Sequence, residues 1–263
     1  MAAKTSRHKN LVRTFYIFLG IYIINLVVPL STISHTQRMW LWASIIVTGL
    51  SLFILFKEGL PEKRNILRAF FLAILAGLIS PRSGVVTFFS FISATRIFEI
   101  APSEIQILKK PPALSIALGV GVGIVLGFVN LFLAANQVPE FQPSFYAFVV
   151  SLNPGIHEEV SFRFFLYAFS IYLLRGQITA RREKVWVYVL MVLPHVLLHF
   201  PDQFFVNGIF MLDLGTLVFG TVTLSALFGL PFAMLMLKRD LTTSMLAHTI
   251  VDFIRFTVYG LPF

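Results

Sequence analysis

The chain has no cysteine, which excludes disulfides and thiolate metal sites. It is also poor in charge: 13% of its 263 residues are Asp, Glu, Lys or Arg. A soluble domain carries about 25%, because it must present a solvated surface to water. Acidic residues are the scarcer kind, 12 against 21 basic, for a net charge of +9. The excess could suit nucleic acid, but that would need a continuous basic face with interleaved aromatics, and the chain has none. There is no internal repeat of the kind that marks a transporter built from two halves.

What fills the chain instead is apolar: 57% of residues are hydrophobic. They fall in runs long enough to cross a hydrocarbon core of roughly 30 Å as helices. The runs predict spans at 11–30, 39–56, 66–80, 84–98, 112–135, 144–174, 185–200, 216–237 and 241–260. The short pair 66–80 and 84–98 reads either as two tilted crossings or as one re-entrant hairpin. The expected fold is all-α: a polytopic membrane helix bundle of about eight transmembrane helices, forming one integral membrane domain over 1–263. The 144–174 run is long for one span, and Asn153-Pro154-Gly155 predicts a break, with a new helix starting just after it. Gly119, Gly123 and Gly127 form a small-xxx-small stripe, suited to close helix packing.

The basic residues sit between the apolar runs, as in cytoplasmic loops of membrane proteins. They are Lys4, Arg7, Lys9 and Arg13; Lys57, Lys63, Arg64 and Arg68; Arg175, Arg181, Arg182 and Lys184; and Lys238 and Arg239. The basic start followed by an apolar run reads as a retained first span rather than a cleaved signal. With the N-terminus inside, these segments all fall on one side. The loops at 136–143 and 201–215, with Glu140, Asp202 and Asp213 and no Lys or Arg, fall on the other. The 95–111 loop is the exception, its side depending on how the short pair is counted. The expected location is the cell membrane, and the expected surroundings are the lipid bilayer.

An ionisable group inside a bilayer costs at least a few kcal/mol, so each one calls for a partner or a purpose. Three clusters stand out. The first is His157-Glu158-Glu159-Val160-Ser161-Phe162-Arg163. On a helix Glu159 and Arg163 share a face in the favoured order for an ion pair. Glu158 is rotated by about 100° and so is free to handle protons. The second is Pro194-His195-Val196-Leu197-Leu198-His199-Phe200-Pro201, with two imidazoles four apart. The third is His248 and Asp252, again at i and i+4, where a carboxylate can orient an imidazole. Each has a structural reading as a buried pair that locks helices. Taken together, a carboxylate, imidazoles and an orienting acid on separate membrane helices are the parts needed to activate water.

With these residues the chain resembles the CPBP intramembrane proteases, a family that includes CAAX prenyl endopeptidases and bacteriocin-processing or self-immunity proteins. The first family motif, Glu-Glu-x-x-x-Arg, is matched by Glu158, Glu159 and Arg163, and the third, His-x-x-x-Asn or Asp, by His248 and Asp252. The resemblance covers roughly 144–258, including the approach Asp240-Leu241-Thr242-Thr243-Ser244-Met245-Leu246-Ala247-His248. The second motif, Phe-x-x-x-His, lacks its phenylalanine: His199 is preceded there by His195, and His195 by Met191. An apolar-Pro ending favours His199, with His195 as the alternative.

The resemblance implies that Glu158 and His199 activate the attacking water, while His248 and Asp252 stabilise the oxyanion. Glu159 and Arg163 hold the first motif in shape. An ionised Asp252 cannot donate a hydrogen bond as the family's Asn does, so it is either protonated or acts through His248. The resemblance also implies a membrane-embedded or lipid-anchored peptide or protein substrate. The expected cofactor is none, or a divalent metal such as zinc. The rival readings are a site-2-type zinc protease, which lacks its His-Glu-x-x-His helix here because Ser161 ends the pattern, and a transporter of protons or cations. The loop charges place Glu158 and His199 in the outward half of the membrane. A prenylated CAAX terminus would arrive from the cytosol.

Overall fold

The computed structural model describes residues 7–27, 34–101, 103–206 and 209–261. Lys4, the end of the first expected span (28–30), and Asn207 and Gly208 in the 201–215 loop lie outside them. The fold is a helical membrane bundle. Its α-helices are α1 Arg7–Val27, α2 His35–Glu58, α3 Lys63–Gly77, α4 Pro81–Ile100, α5 Pro112–Leu133, α6 Ser144–Glu158, α7 Phe165–Leu174, α8 Arg181–Leu197, α9 Leu214–Leu224, α10 Leu230–Lys238 and α11 Leu241–Tyr259. A π-helical segment, Glu159–Phe164, joins α6 to α7, and a second, Ser225–Gly229, joins α9 to α10. The described residues therefore form nine rods. Taken singly, α2, α4, α5 and the rod Leu214–Lys238 are long and apolar enough to cross a membrane. The rest of the described structure is turns, one short 3-10 segment and a two-residue antiparallel ladder, Phe205–Val206 against Ile209–Phe210.

Large apolar side chains point outwards from many rods: Phe53, Phe56, Phe128, Phe132, Phe145 and Phe219 are all more than half exposed. In water such a surface would drive aggregation, and in a bilayer it is the natural one. The inside combines a large apolar cluster with buried polar residues, Glu159, Arg163 and Ser244 among them.

The expected break at Pro154 is absent. Helix α6 runs through it, and with the π segment and α7 it makes one continuous rod from 144 to 174. A proline in a helix leaves the carbonyl one turn back without its N–H. Neighbouring helices hold this stretch in place: Asn153 Nδ2 donates to the Ala76 carbonyl at 2.8 Å, and Ser83 Oγ donates to Asn153 Oδ1 at 3.4 Å. Gly155 is a contact rather than a breaker. A Cβ added there would lie 2.0 Å from Thr249 Oγ1 and 2.8 Å from its Cα. Only glycine lets α6 approach α11 this closely. The Gly119, Gly123 and Gly127 stripe does the same for α5, facing Leu246, Ile250 and Ile254 of α11. Helix α11 is thus clamped from two sides. The short pair forms two separate helices, α3 and α4, in close contact where Gly84 meets Gly77 and the Ala73 carbonyl.

Loop contacts sort the chain into two ends. At one, Tyr172 donates to Glu58 at 3.0 Å, Asn65 to Glu99 at 3.1 Å, and the Leu241 and Thr242 amides to the Gln106 and Ile107 carbonyls. This end gathers the basic segments near 57–68, 175–184 and 238–239. The 95–111 loop belongs with them. At the other end, the Glu140 and Gln142 amides donate to the Val258 and Thr257 carbonyls, and Asp202 accepts from the His35 amide at 2.8 Å.

Candidate active site

The three polar clusters converge. Glu159 is fully buried in the π segment, and its carboxylate is the hub. Arg163 Nη1 donates to its Oε1 at 2.5 Å, Ser244 Oγ to its Oε2 at 2.5 Å, and His248 Nδ1 lies 2.7 Å from Oε1. One carboxylate therefore ties the π segment to two positions on α11. Neither the acid nor the guanidinium has access to solvent, so removing one would strand a buried charge in the other.

Glu158, the last residue of α6, points to different partners. Its Oε2 lies 2.6 Å from His195 Nε2 and 3.6 Å from His248 Nε2. His248 Nε2 is also 3.4 Å from Asp252 Oδ2. Glu158, His195 and His248 are all buried. The structure thus brings together every residue singled out in the sequence: Glu158, Glu159, Arg163, His195, His199, His248 and Asp252. It also separates the two histidines of the second cluster. His195 holds Glu158 directly, whereas His199 is exposed past the end of α8, with its Nε2 3.4 Å from His195 Nε2.

Sequence reasoning missed four supports. Ser244 holds Glu159, and Phe232 stacks on His248 with ring centroids 4.6 Å apart while the Arg163 guanidinium lies over the Phe232 ring, 5.3 Å from its centroid. Phe162 stacks on His195 at 5.1 Å. Trp40 of α2 has its ring within 5.7 to 6.3 Å of Phe162, His195, His199 and His157. Ser244 carried a signal, since it precedes His248 by one turn. The three aromatics carried none in a chain with 29 phenylalanines. His157 faces away from the hub, towards Thr87 Oγ1 at 3.4 Å and Ser161 Oγ at 3.3 Å.

Glu158, His195 and His199 have ligand atoms within 4.8 Å of one another and so could gather round a metal ion. The wiring of His195 argues against it. Arg163 Nη2 lies 3.5 Å from His195 Nδ1, and a guanidinium only donates. Nδ1 must then accept, which puts the ring proton on Nε2, facing Glu158. A histidine that binds metal through Nε2 carries its proton on Nδ1, where this site has a cation. The donors suffice in number, but their hydrogen bonding suits a metal poorly.

A cavity of about 730 Å³ lies beside the cluster. It is lined by the polar side chains of Asn65, Arg68, Glu99, Gln106 and Thr242, which belong to the basic end, and by Phe71, Phe98, Leu152, Ile156, Met245 and Thr249. Ile156 and Thr249 are chain neighbours of the residues around Glu158 and His248.

Fold and site together define a helical membrane bundle with a buried cluster of carboxylates and imidazoles. Residues 140–254, under half of the chain, match the family model described as type II CAAX prenyl endopeptidase Rce1-like, a similarity that supports the resemblance to the CPBP/CAAX proteases. Comparison with curated proteins and with solved structures found no match.

Proposed function

We propose that the chain is an intramembrane endopeptidase that hydrolyses a peptide bond with water activated by Glu158. The observation that carries this reading is the 2.6 Å contact between Glu158 and His195, buried in a membrane bundle and flanked by His248. Glu158 takes a proton from the water as it attacks the scissile carbonyl, and passes one to the leaving amine. His195, donating from Nε2, keeps the carboxylate aimed. His199 supplies a second imidazole on the exposed side. His248 is committed through Nδ1 to Glu159, and donates from Nε2 to the tetrahedral oxyanion when it is the imidazolium. Asp252 acts through that ring, as its 3.4 Å contact suggests. Glu159 and Arg163 fix the frame. No step is routed through a metal.

The substrate is a membrane-associated prenylated peptide or protein. The cavity supports this class, since its lining joins polar residues of the basic end to an apolar wall, which suits a chain with a lipid on it. Its polar lining at the basic end also answers the problem of access. With that end cytosolic under the positive-inside rule, in the cell membrane, a modified C-terminus reaches Glu158 from the cytosol even though His199 opens towards the other face. The test is purified protein in liposomes with a prenylated peptide in ¹⁸O-labelled water. One heavy oxygen in the new C-terminal carboxylate is expected. Peptide transported intact, or left intact, would contradict the reading.

A further inference from the structure

Asp240 is a fully buried carboxylate that the mechanism above does not use. It is the N-cap of α11, and its two oxygens face different parts of the chain. Oδ1 accepts from the Thr243 amide and the Thr243 hydroxyl, each at 2.8 Å, and so closes the first turn of α11. Oδ2 accepts from the Lys109 amide at 2.9 Å and from the Ser115 hydroxyl at 2.5 Å, which belong to the 105–111 strap and the first turn of α5. Arg239 braces the same joint: its Nε donates to Ser115 Oγ at 2.8 Å, and its Nη2 to the Lys109 and Pro111 carbonyls at 2.9 and 2.7 Å. A helix cap needs one acceptor, which Ser, Thr or Asn supplies without a charge. A buried charge is costly, so the second oxygen calls for a purpose.

The strap is a wall of the cavity. Ile105, Gln106, Ile107 and Leu108 line it, and Thr242 and Met245 face it from the start of α11. The Thr242 hydroxyl also donates to the Ile107 carbonyl at 2.6 Å. Other residues of the same stretch of α11 serve the hub: Ser244 donates to Glu159 at 2.5 Å, and His248 Nδ1 lies 2.7 Å from it. The start of α11 is thus tied to the cavity wall on one side and to the catalytic cluster on the other. Contacts this short depend on placement, and a displacement of about 1 Å costs on the order of 10² in rate. We infer that Asp240 is a positioning residue that couples filling of the cavity to the alignment of Ser244 and His248 with Glu159. A lipid packed against the strap holds Lys109 and Ser115 on Oδ2, and the joint sets the register of α11. Binding of a remote part of the substrate is then realised in kcat as well as in KM. The inference rests on the reading of the cavity as the substrate site of a peptidase.

The experiment compares one peptide carrying a farnesyl, a geranyl or a dimethylallyl thioether. In the unmodified protein kcat is expected to rise with lipid length, by about tenfold across the series. Asp240→Asn keeps an oxygen for Thr243 but turns an amide NH2 towards Lys109 and Ser115, so the cap stays and the strap is released. Its kcat should fall to the level of the shortest lipid for all three peptides, while KM still improves with lipid length. Ser115→Ala leaves the cap untouched and should flatten the series in the same way, and it carries the test alone if Asp240→Asn does not fold. A kcat lowered by one common factor for every lipid would make Asp240 a structural cap and overturn the inference. So would an unchanged series in both variants, or a kcat independent of lipid length in the unmodified protein. A second readout needs no cleavage: hydrogen exchange of the Thr243 and Ser244 amides in Glu158→Gln protein. The farnesylated peptide should slow it there, and should not when Ser115→Ala is added. That protection, with no cleavage by the unmodified protein, would sink the peptidase reading and keep the coupling. Cleavage with neither protection nor a lipid-dependent kcat would do the reverse.

Discussion

His195 stands between an acid and a base of opposite demand: its Nε2 lies 2.6 Å from Glu158 and its Nδ1 3.5 Å from Arg163. The guanidinium cannot accept a proton, so it fixes the tautomer and makes His195 the donor to Glu158. His199 has no such constraint: a nitrogen of its ring lies within 4.8 Å of the carboxylate, but its 3.4 Å contact is to His195. His195→Ala is therefore expected to reduce kcat by about 10² to 10⁴, the range of a lost acid–base partner. His199→Ala should cost about tenfold or less. The comparison is a cleavage assay on both purified variants. A larger loss for His199→Ala would reverse the assignment.

Arg163 serves both glutamates at once, binding Glu159 and orienting the partner of Glu158. Lysine has a single point of charge and cannot span both. Arg163→Lys should keep the protein folded yet lose most activity. Arg163→Leu strands Glu159 in the bundle and should destabilise it by about 3–5 kcal/mol. Thermal unfolding in detergent, read beside activity, separates the two effects. Full activity in Arg163→Lys would show that the charge alone suffices.

Gly155 sets the distance between α6 and α11, and so between Glu158 and His248. Gly155→Ala meets the backbone of Thr249, which cannot swing away, and should cost about 1–3 kcal/mol and most activity. Gly121 faces open space on α5, and Gly121→Ala should be neutral or slightly stabilising. Equal behaviour of the two variants in activity and melting would remove the packing argument.

If the wiring of His195 excludes a metal, exhaustive chelation leaves kcat unchanged. Micromolar zinc inhibits only by competing for Glu158. Activity lost to chelation and restored by one equivalent of zinc would show that Glu158, His195 and His199 act as ligands instead.

The bundle was legible because apolar runs longer than a bilayer crossing need no context to interpret. The site residues were legible for the converse reason: Glu158, His195, His248 and Asp252 are expensive where they sit. What failed was local reasoning about geometry. Pro154 looks like a break from sequence, and only the bonds of Asn153 to Ala76 and Ser83, far away in the chain, carry the helix through it. The π turn at Glu159–Phe164, which carries both Glu159 and Arg163, leaves no pattern in the residues. The proposed preference for His195 over His199 rests on one ring's distance from one oxygen, which spacing within α8 cannot give. Trp40, packed against both histidines, was invisible among the aromatics of a lipid-facing chain.

The central claim is that Glu158 is the proton-handling carboxylate. Glu158→Gln keeps the shape and a hydrogen-bonding group but removes the base. With folding checked by melting temperature and membrane insertion, the variant should cleave a prenylated peptide at no more than about a thousandth of the normal rate. A folded Glu158→Gln protein that cleaves at the normal rate would contradict the account.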